Sequence, residues 1–190
     1  MDEEASGVTL LTQHRWDRSA QLVSLAQLLV DPGSRTLDGL MRLVHKDWLA
    51  FGHQFGVRHA LHGESAREQS FVFTQFLDCV WQLLQLHPEA FEFTAAALEA
   101  MHTAAVTGTF GTFLGNSDCE RRRLRLHDST PCLWRWMHEH RQALTRAGPG
   151  DRSPVGVLSL PEGWAPAVWR RVLCRPPAHF RYEPLLDEAT

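Results

Sequence analysis

The sequence predicts a mainly α-helical fold that contains a single strand. One short apolar run, Val8–Leu11, has the composition of a buried strand. About six segments with apolar residues at helical spacing follow it. A lone strand has no partner for its backbone hydrogen bonds. Either this run is not a strand, or the rest of its sheet lies in sequence outside this chain.

Apolar residues three and four positions apart predict the first three helices and the faces that they bury. The first runs from Arg18 to the stop signal Asp31-Pro32-Gly33, with the stripe Leu22, Leu25, Ala26 and Leu29. The second starts near Thr36, with the stripe Leu37, Leu40, Met41, Val44 and Trp48. Residues 52–70 show little periodicity and are predicted to form a loop. The third carries Phe73, Phe76, Leu77, Val80 and Leu84 and ends before Pro88.

Capping signals define the later helices. Thr94 is the expected N-cap of a fourth helix, with Leu98, Met101 and Ala105 inward and a stop at Gly108. Ser117 and Glu120 have the spacing of a capping box. Thr130-Pro131 is a further helix start, and that helix is expected to continue through Leu133, Trp136, Met137 and Leu144.

Composition shifts predict three regions. We expect a partial domain over residues 1–146, a Gly- and Pro-rich linker over residues 147–156, and a tail over residues 157–190 with a short helix near Ala165–Cys174.

Charge and cysteine usage exclude several classes of protein. The net charge of −3 argues against nucleic-acid binding. The four cysteines form no C-x-x-C pair, and no apolar run is long enough to cross a bilayer. His53, His59 and His62 share one loop, and His138 and His140 lie two apart, so neither group has metal-ligand spacing. We therefore expect a cytoplasmic protein, peripheral to endomembranes if it contacts them, without a metal or cofactor.

Several long segments point to one family. They are Trp16–Leu29, Asp47–His53, Phe73–Gln82, Phe91–Phe93 and Phe110–Asn116. Together they resemble, in order, the carboxyl-terminal half of a myotubularin-related phosphatase domain, and the resemblance covers roughly residues 8–137. It implies that the chain is the helical part of an α/β, cysteine-phosphatase-like domain of the protein tyrosine phosphatase superfamily, with one strand retained.

The phosphate loop departs from the pattern of active family members, which reads H-C-S-D-G-W-D-R. A Cys at a helix N-terminus ionises there and attacks phosphorus, while backbone amides and the last Arg hold the phosphoryl oxygens. Here Thr12 stands at the Cys position, Arg15 replaces Gly, and Gln13 and His14 replace Ser and Asp. The matching residues are Trp16, Asp17 and Arg18.

The resemblance implies a degenerate site. Arg18 keeps the phosphate-binding position and Asp17 that of the proposed acid, but a threonine hydroxyl stays protonated at neutral pH. Arg15 either fills the anion pocket or contacts a charged ligand. Residual phosphate binding would involve Arg15, Trp16, Asp17 and Arg18. The alternative is that Arg18 now pairs with a carboxylate, such as Asp17 or one outside this chain.

The expected function is that of a catalytically inactive, myotubularin-like pseudophosphatase. Inactive family members pair with active phosphoinositide 3-phosphatases as regulatory adaptors, so the resemblance implies such a hetero-oligomeric partner, with at most weak phosphoinositide or membrane-surface contact. The run Arg121-Arg122-Arg123-Leu124-Arg125 is a candidate for lipid contact, but a solvated helix face balanced by acidic neighbours is favoured. The alternatives are a fragment without independent activity and, least favoured, a working phosphatase with an unorthodox nucleophile.

Overall fold

The computed structural model describes Leu10 and residues 16–61, 65–146 and 156–174. The predicted strand lies outside this part of the chain except for Leu10, and residues 11–15 of the loop lie outside it too. What is described is mostly helical, which confirms the predicted fold class. The strand-like pairing found among these residues is a single antiparallel bridge between Phe93 and Thr145.

The helices of the described residues follow one another through short turns. They are α1 (Arg18–Val30), α2 (Leu37–Val44), α3 (Phe55–Arg58), α4 (Val72–Leu86), α5 (Ala95–Thr107), α6 (Asp118–Arg123), α7 (Leu126–Ser129), α8 (Leu133–Glu139), α9 (Arg141–Leu144) and α10 (Arg170–Leu173). A π-helical segment, His45–Ala50, continues directly from α2. None of these described helices is both long enough and apolar enough to cross a membrane.

The core lies between α1, α2, α4 and α5 and is centred on Trp48, which is fully buried. The Trp48 ring lies 5.0 Å from the rings of both Phe73 and Phe76. The stripes predicted for the second, third and fourth helices are all buried. The stop signals predicted for the third and fourth helices also hold: α4 ends at Leu86, before Pro88, and Gly108 ends α5 in a left-handed conformation with φ at +64°.

The stripe predicted for α1 is only partly confirmed, because Leu25 and Leu29 pack against the core whereas Ala26 is exposed. Leu22 is 49% exposed, and the buried residues of α1 are Ala20, Ser24 and Leu28. A polar network turns the helix this way. Ser24 lies between Asp47 and Trp48: its hydroxyl donates to the Asp47 carboxylate at 3.4 Å and accepts from the Trp48 indole at 3.1 Å. The spacing of apolar residues does not reveal this network, because Ser24 and Asp47 are polar and lie far apart in the sequence.

Two other predicted segments differ from the structure. Residues 52–70 were expected to form a loop, but they contain α3 and bury His53, Phe55 and His59. The helix expected from Thr130-Pro131 to Leu144 begins only at Leu133 and is broken at His140 into α8 and α9. The tail helix is also shorter than expected, since α10 spans four residues. The division into domain, linker and tail stays a prediction.

Candidate functional site

The carboxyl end of the predicted phosphate loop leads directly into α1. Thr12 and Arg15 lie outside the described residues, as do Gln13 and His14. Trp16 and Asp17 are half-buried, and Arg18 is the first residue of α1. The described site is therefore the junction between the loop and this helix.

Asp17 occupies the N-cap position of α1, but its carboxylate does not cap the helix. One oxygen accepts a hydrogen bond from Arg58 Nη2 at 2.8 Å. The other lies 2.8 Å from His53 Nδ1, and the same nitrogen lies 3.1 Å from the Trp16 carbonyl oxygen. The direction of the ring N–H favours the Trp16 carbonyl as the acceptor, so Asp17 gains mainly an electrostatic contact. A second nitrogen of Arg58 donates to the Glu68 carbonyl at 2.9 Å.

His53 reaches this junction because the chain turns sharply after the π-helical segment. Gly52 has φ at +85°, a conformation that glycine adopts without steric cost. The turn places His53 in the core with no exposed surface, where its ring lies 4.9 Å from Trp48 and 4.6 Å from Phe55. One buried side chain therefore connects the hydrophobic core to the end of the loop.

The surroundings of Asp17 favour the charged form of its carboxyl. Burial alone would raise its pKa, but the close contact with His53, the hydrogen bond from Arg58 and the positive charges of both side chains outweigh burial and hold the pKa below its ordinary value. A carboxyl in this setting gives up its proton more readily than a free aspartic acid does. The geometry suits a fixed carboxylate that holds the loop in place, and it does not favour a proton donor near neutral pH.

Arg18 does not pair with Asp17, and its pairing with a carboxylate outside this chain stays a prediction. The carboxylate of Asp17 is directed toward His53 and Arg58, while Arg18 is exposed to solvent. The first turn of α1 carries no acidic residue. Within the described part of the chain, Arg18 therefore presents its charge on the outside of the helix start.

The remaining candidate residues divide between core and surface. His59 is buried, and burial together with the nearby His53 and His102 lowers its pKa from 6.5 to about 4. His138 is exposed, and its Nε2 lies 3.5 Å from an oxygen of Asp38. Groups of three or more side chains able to hold a metal are absent from the described ranges, which exclude His62.

The basic run 121–125 is only partly the solvated face that we favoured. Arg122 and Arg125 are exposed and form ion pairs with Asp118 and Asp128, respectively, as expected. Arg121 is instead buried, and its guanidinium donates to the Leu49 carbonyl at 2.8 Å. This residue connects α6 to the π-helical segment.

The sequence reasoning missed the two partners of Asp17. His53 stood in the Asp47–His53 segment of the resemblance, but it was weighed only as a metal ligand. Arg58 lay in a stretch predicted to be a loop. The pair Gly52-His53 directly after an apolar helical segment could have indicated a tight turn that buries the histidine.

Comparison with known proteins assigns the family. A family model described as the myotubularin-like phosphatase domain matches residues 1–122. Phosphatidylinositol-3,5-bisphosphate 3-phosphatase MTMR6 of Caenorhabditis elegans is 48% identical over 126 residues, which are 64% of this chain and 19% of that protein. The same-named human MTMR6 is 43% identical over 136 residues, covering 72% of this chain and 22% of its own length.

A third relative extends the match toward the carboxyl end. Human phosphatidylinositol-3-phosphate phosphatase MTMR7 is 41% identical over 166 residues, which are 85% of this chain and 25% of that protein. The chain thus spans about a fifth to a quarter of the length of these relatives. Taken with the order of the matching segments and the helical fold, these matches show that the chain belongs to the myotubularin-like phosphatase domain family.

Proposed function

We propose that this chain is a catalytically inactive, myotubularin-like phosphatase homologue that regulates an active phosphoinositide 3-phosphatase by binding to it. The observation that carries the proposal is Thr12 at the position of the nucleophilic cysteine. A thiolate forms readily at a helix N-terminus, whereas an alcohol there stays protonated and needs a strong base.

The surroundings of Asp17 support the same proposal. A general acid must hold a proton at the working pH, and the contacts with His53 and Arg58 favour loss of that proton. Without a cysteine at position 12, and with a carboxyl at Asp17 that favours its charged form, the residues that match the family motif are suited to holding the loop and to anion contact through Arg18. This is the behaviour expected of a regulatory relative.

Inactivity is tested by phosphate release from vesicles that contain phosphatidylinositol 3-phosphate or its 3,5-bisphosphate. These lipids are the substrates named for the relatives. We expect the full chain to release no more phosphate than a Thr12→Ala chain, which has no hydroxyl. Turnover that exceeds this background and is lost in an Arg18→Ala chain would contradict the proposal.

The regulatory role is tested by co-expressing the full chain with an active myotubularin-like relative. We expect the two to co-purify and the relative's activity or lifetime to change. An Arg122→Ala chain serves as a control and should co-purify with the relative as the wild type does. Its side chain is exposed on α6 and is far in sequence from the loop. No association at micromolar concentrations would count against the role.

One observation favours the alternative of a fragment without independent activity. The outward face of α1 carries Leu22, Val23 and Val30, which are 49%, 38% and 57% exposed. Apolar faces of this kind favour aggregation when no partner covers them. A monodisperse chain that unfolds cooperatively in urea would exclude this alternative, while aggregation of the purified chain would support it.

A further inference from the structure

Residues 156–174, named the strap here, contact the helical body near both ends and make a turn at residues 162–163. The strap has no regular structure before α10. Its amino end is held by Arg35, whose Nη2 donates to the Gly156 carbonyl at 2.6 Å, and by the Leu158 amide, which donates to the Leu29 carbonyl at 2.9 Å. Leu158 itself is buried.

Two side chains of the body contact the strap through its backbone. Gln82 of α4 forms a pair of hydrogen bonds with Ala167, since its Nε2 donates to the carbonyl at 2.6 Å and its Oε1 accepts from the amide at 3.1 Å. The His87 ring lies 2.9 Å from the Ser159 carbonyl oxygen. Contacts to backbone atoms do not depend on the identity of the side chains. They can therefore hold peptides of many different sequences.

Apolar anchors supply the sequence preference. Trp169 is 2% exposed and stacks on Trp81 with ring centroids 5.8 Å apart and planes at 9°. Val172, three residues later, is buried as well. Arg171 adds an ion pair with Glu99 of α5 at 3.4 Å. Residues between the two anchored ends are mostly exposed, which makes the strap a peptide docked at both ends.

We propose that the surface beneath the strap is a peptide-recognition groove, and that the corresponding segment of a myotubularin-like relative replaces the strap when the two proteins associate. The occupant is the relative's segment that aligns with the strap, and we expect it to carry a large apolar side chain where this chain has Trp169. The match to human MTMR7 covers 85% of the 190 residues, so it extends past residue 156 into the strap, and a relative therefore carries a segment aligned with part of it. This step rests on the proposed regulatory function.

The covalent link between the strap and the body determines how strongly the strap competes with a free peptide for the groove. Nine residues, 147–155, separate the strap from the body in sequence, and a covalent link this short gives an effective concentration on the order of a millimolar. A free peptide must overcome this concentration to enter the groove of the intact chain. Loosening the strap should therefore strengthen peptide binding by at least about tenfold.

The experiment uses the full chain and a fluorescent synthetic peptide of residues 156–174, with fluorescence anisotropy as the readout. We expect a Trp169→Ala chain to bind the peptide at least tenfold more tightly than the wild type does. A Val168→Ala chain, changed at a neighbouring side chain that is 60% exposed, should behave as the wild type. Adding Gln82→Ala to the Trp169→Ala chain should weaken binding about tenfold, and a peptide lacking the tryptophan should not bind.

A second form of the protein covers the case in which the Trp169→Ala chain does not fold. A protease site inserted between Gly148 and Gly150 is cut after the full chain has folded. Excess labelled peptide should then displace the strap and co-elute with the body in gel filtration. Failure to co-elute, or binding that survives the Gln82→Ala change, would overturn the groove.

The relative is tested separately with a peptide of the human MTMR7 segment aligned with the strap. Binding of the chain's own peptide without binding of this one would overturn the proposed occupant. If the full chain co-purifies with an active relative but Trp169→Ala and Gln82→Ala leave that association unchanged, strap exchange fails while the regulatory function stands. If nothing co-purifies yet both peptides bind, the regulatory function fails and the groove stands.

Discussion

Buried His59 should make the stability of this chain fall in mildly acidic solution. Its pKa is about 4 in the folded chain and 6.5 when solvated, so the unfolded chain binds the proton first as the pH falls. The stabilisation is complete above pH 6.5 and is lost progressively down to about pH 4. The full displacement of the pKa corresponds to about 3 kcal/mol, of which about 2 kcal/mol is lost by about pH 5.

Urea unfolding followed by tryptophan fluorescence between pH 7.5 and 4.5 measures this loss. A His59→Phe chain keeps an aromatic ring against Phe55, whose ring is stacked 6.1 Å away, and removes the titrating group. Its free energy of unfolding should vary less with pH, by about 2 kcal/mol at pH 5. A His127→Phe chain, altered at an exposed position, should keep the wild-type slope. Equal slopes in the wild-type and His59→Phe chains would refute the assignment to His59.

Three further predictions concern single side chains. An Arg58→Met chain should lose about 2 kcal/mol of stability, because the half-buried Asp17 carboxylate loses its hydrogen-bond donor. Urea unfolding at pH 7 measures this loss. An unchanged unfolding midpoint would count against a stabilising role for the contact between Arg58 and Asp17. A Thr12→Cys chain should still release no phosphate from phosphatidylinositol 3-phosphate, because Arg15 stays in the loop; measurable turnover would show the reasoning wrong. An Arg35→Met chain should lose about 3 kcal/mol of stability, because the buried guanidinium joins the end of α1 to the strap. A loss below about 1 kcal/mol, measured by the same urea unfolding, would contradict this prediction.

The sequence predicted those elements in which packing follows apolar spacing. The stripes of α2 and α4 are buried as expected, and Asp31-Pro32 and Gly108 end their helices where capping rules place them. These outcomes depend on interactions within a few residues along the chain. Helix spacing and local capping therefore recovered most of the helical body.

The predictions that failed depend on contacts between residues distant in sequence. The orientation of α1 is set by Ser24 meeting Asp47 and Trp48, more than twenty positions away. The break between α8 and α9 at His140 is an exception, because it coincides with a local contact: the His140 ring stacks on Trp136, four positions earlier, with centroids 4.4 Å apart. Polar side chains that are buried because they hydrogen-bond to one another cannot be distinguished from surface residues by apolar spacing alone.

The site divides in the same way. Family resemblance aligned Trp16, Asp17 and Arg18, and the role of an acid that it assigned to Asp17 stays a prediction, while the structure shows this carboxyl in contact with His53 and Arg58. The buried partners of Asp17 come from the turn after Gly52 and from α3, which apolar spacing did not predict.

The proposed loss of catalysis is compatible with retention of the contacts between Asp17, His53 and Arg58, because the two depend on different atoms. Chemistry at phosphorus requires an ionised nucleophile, whereas loop position depends on the Asp17 carboxylate, its buried histidine and Arg58. A chain that has replaced the first and kept the second can still present Arg18 in a fixed orientation at the start of α1. In the proposed function, the surface near the loop is one recognition surface, and the strap region, which contacts Trp81 and Gln82 of α4, is a second. A regulatory homologue needs both kinds of surface and no turnover.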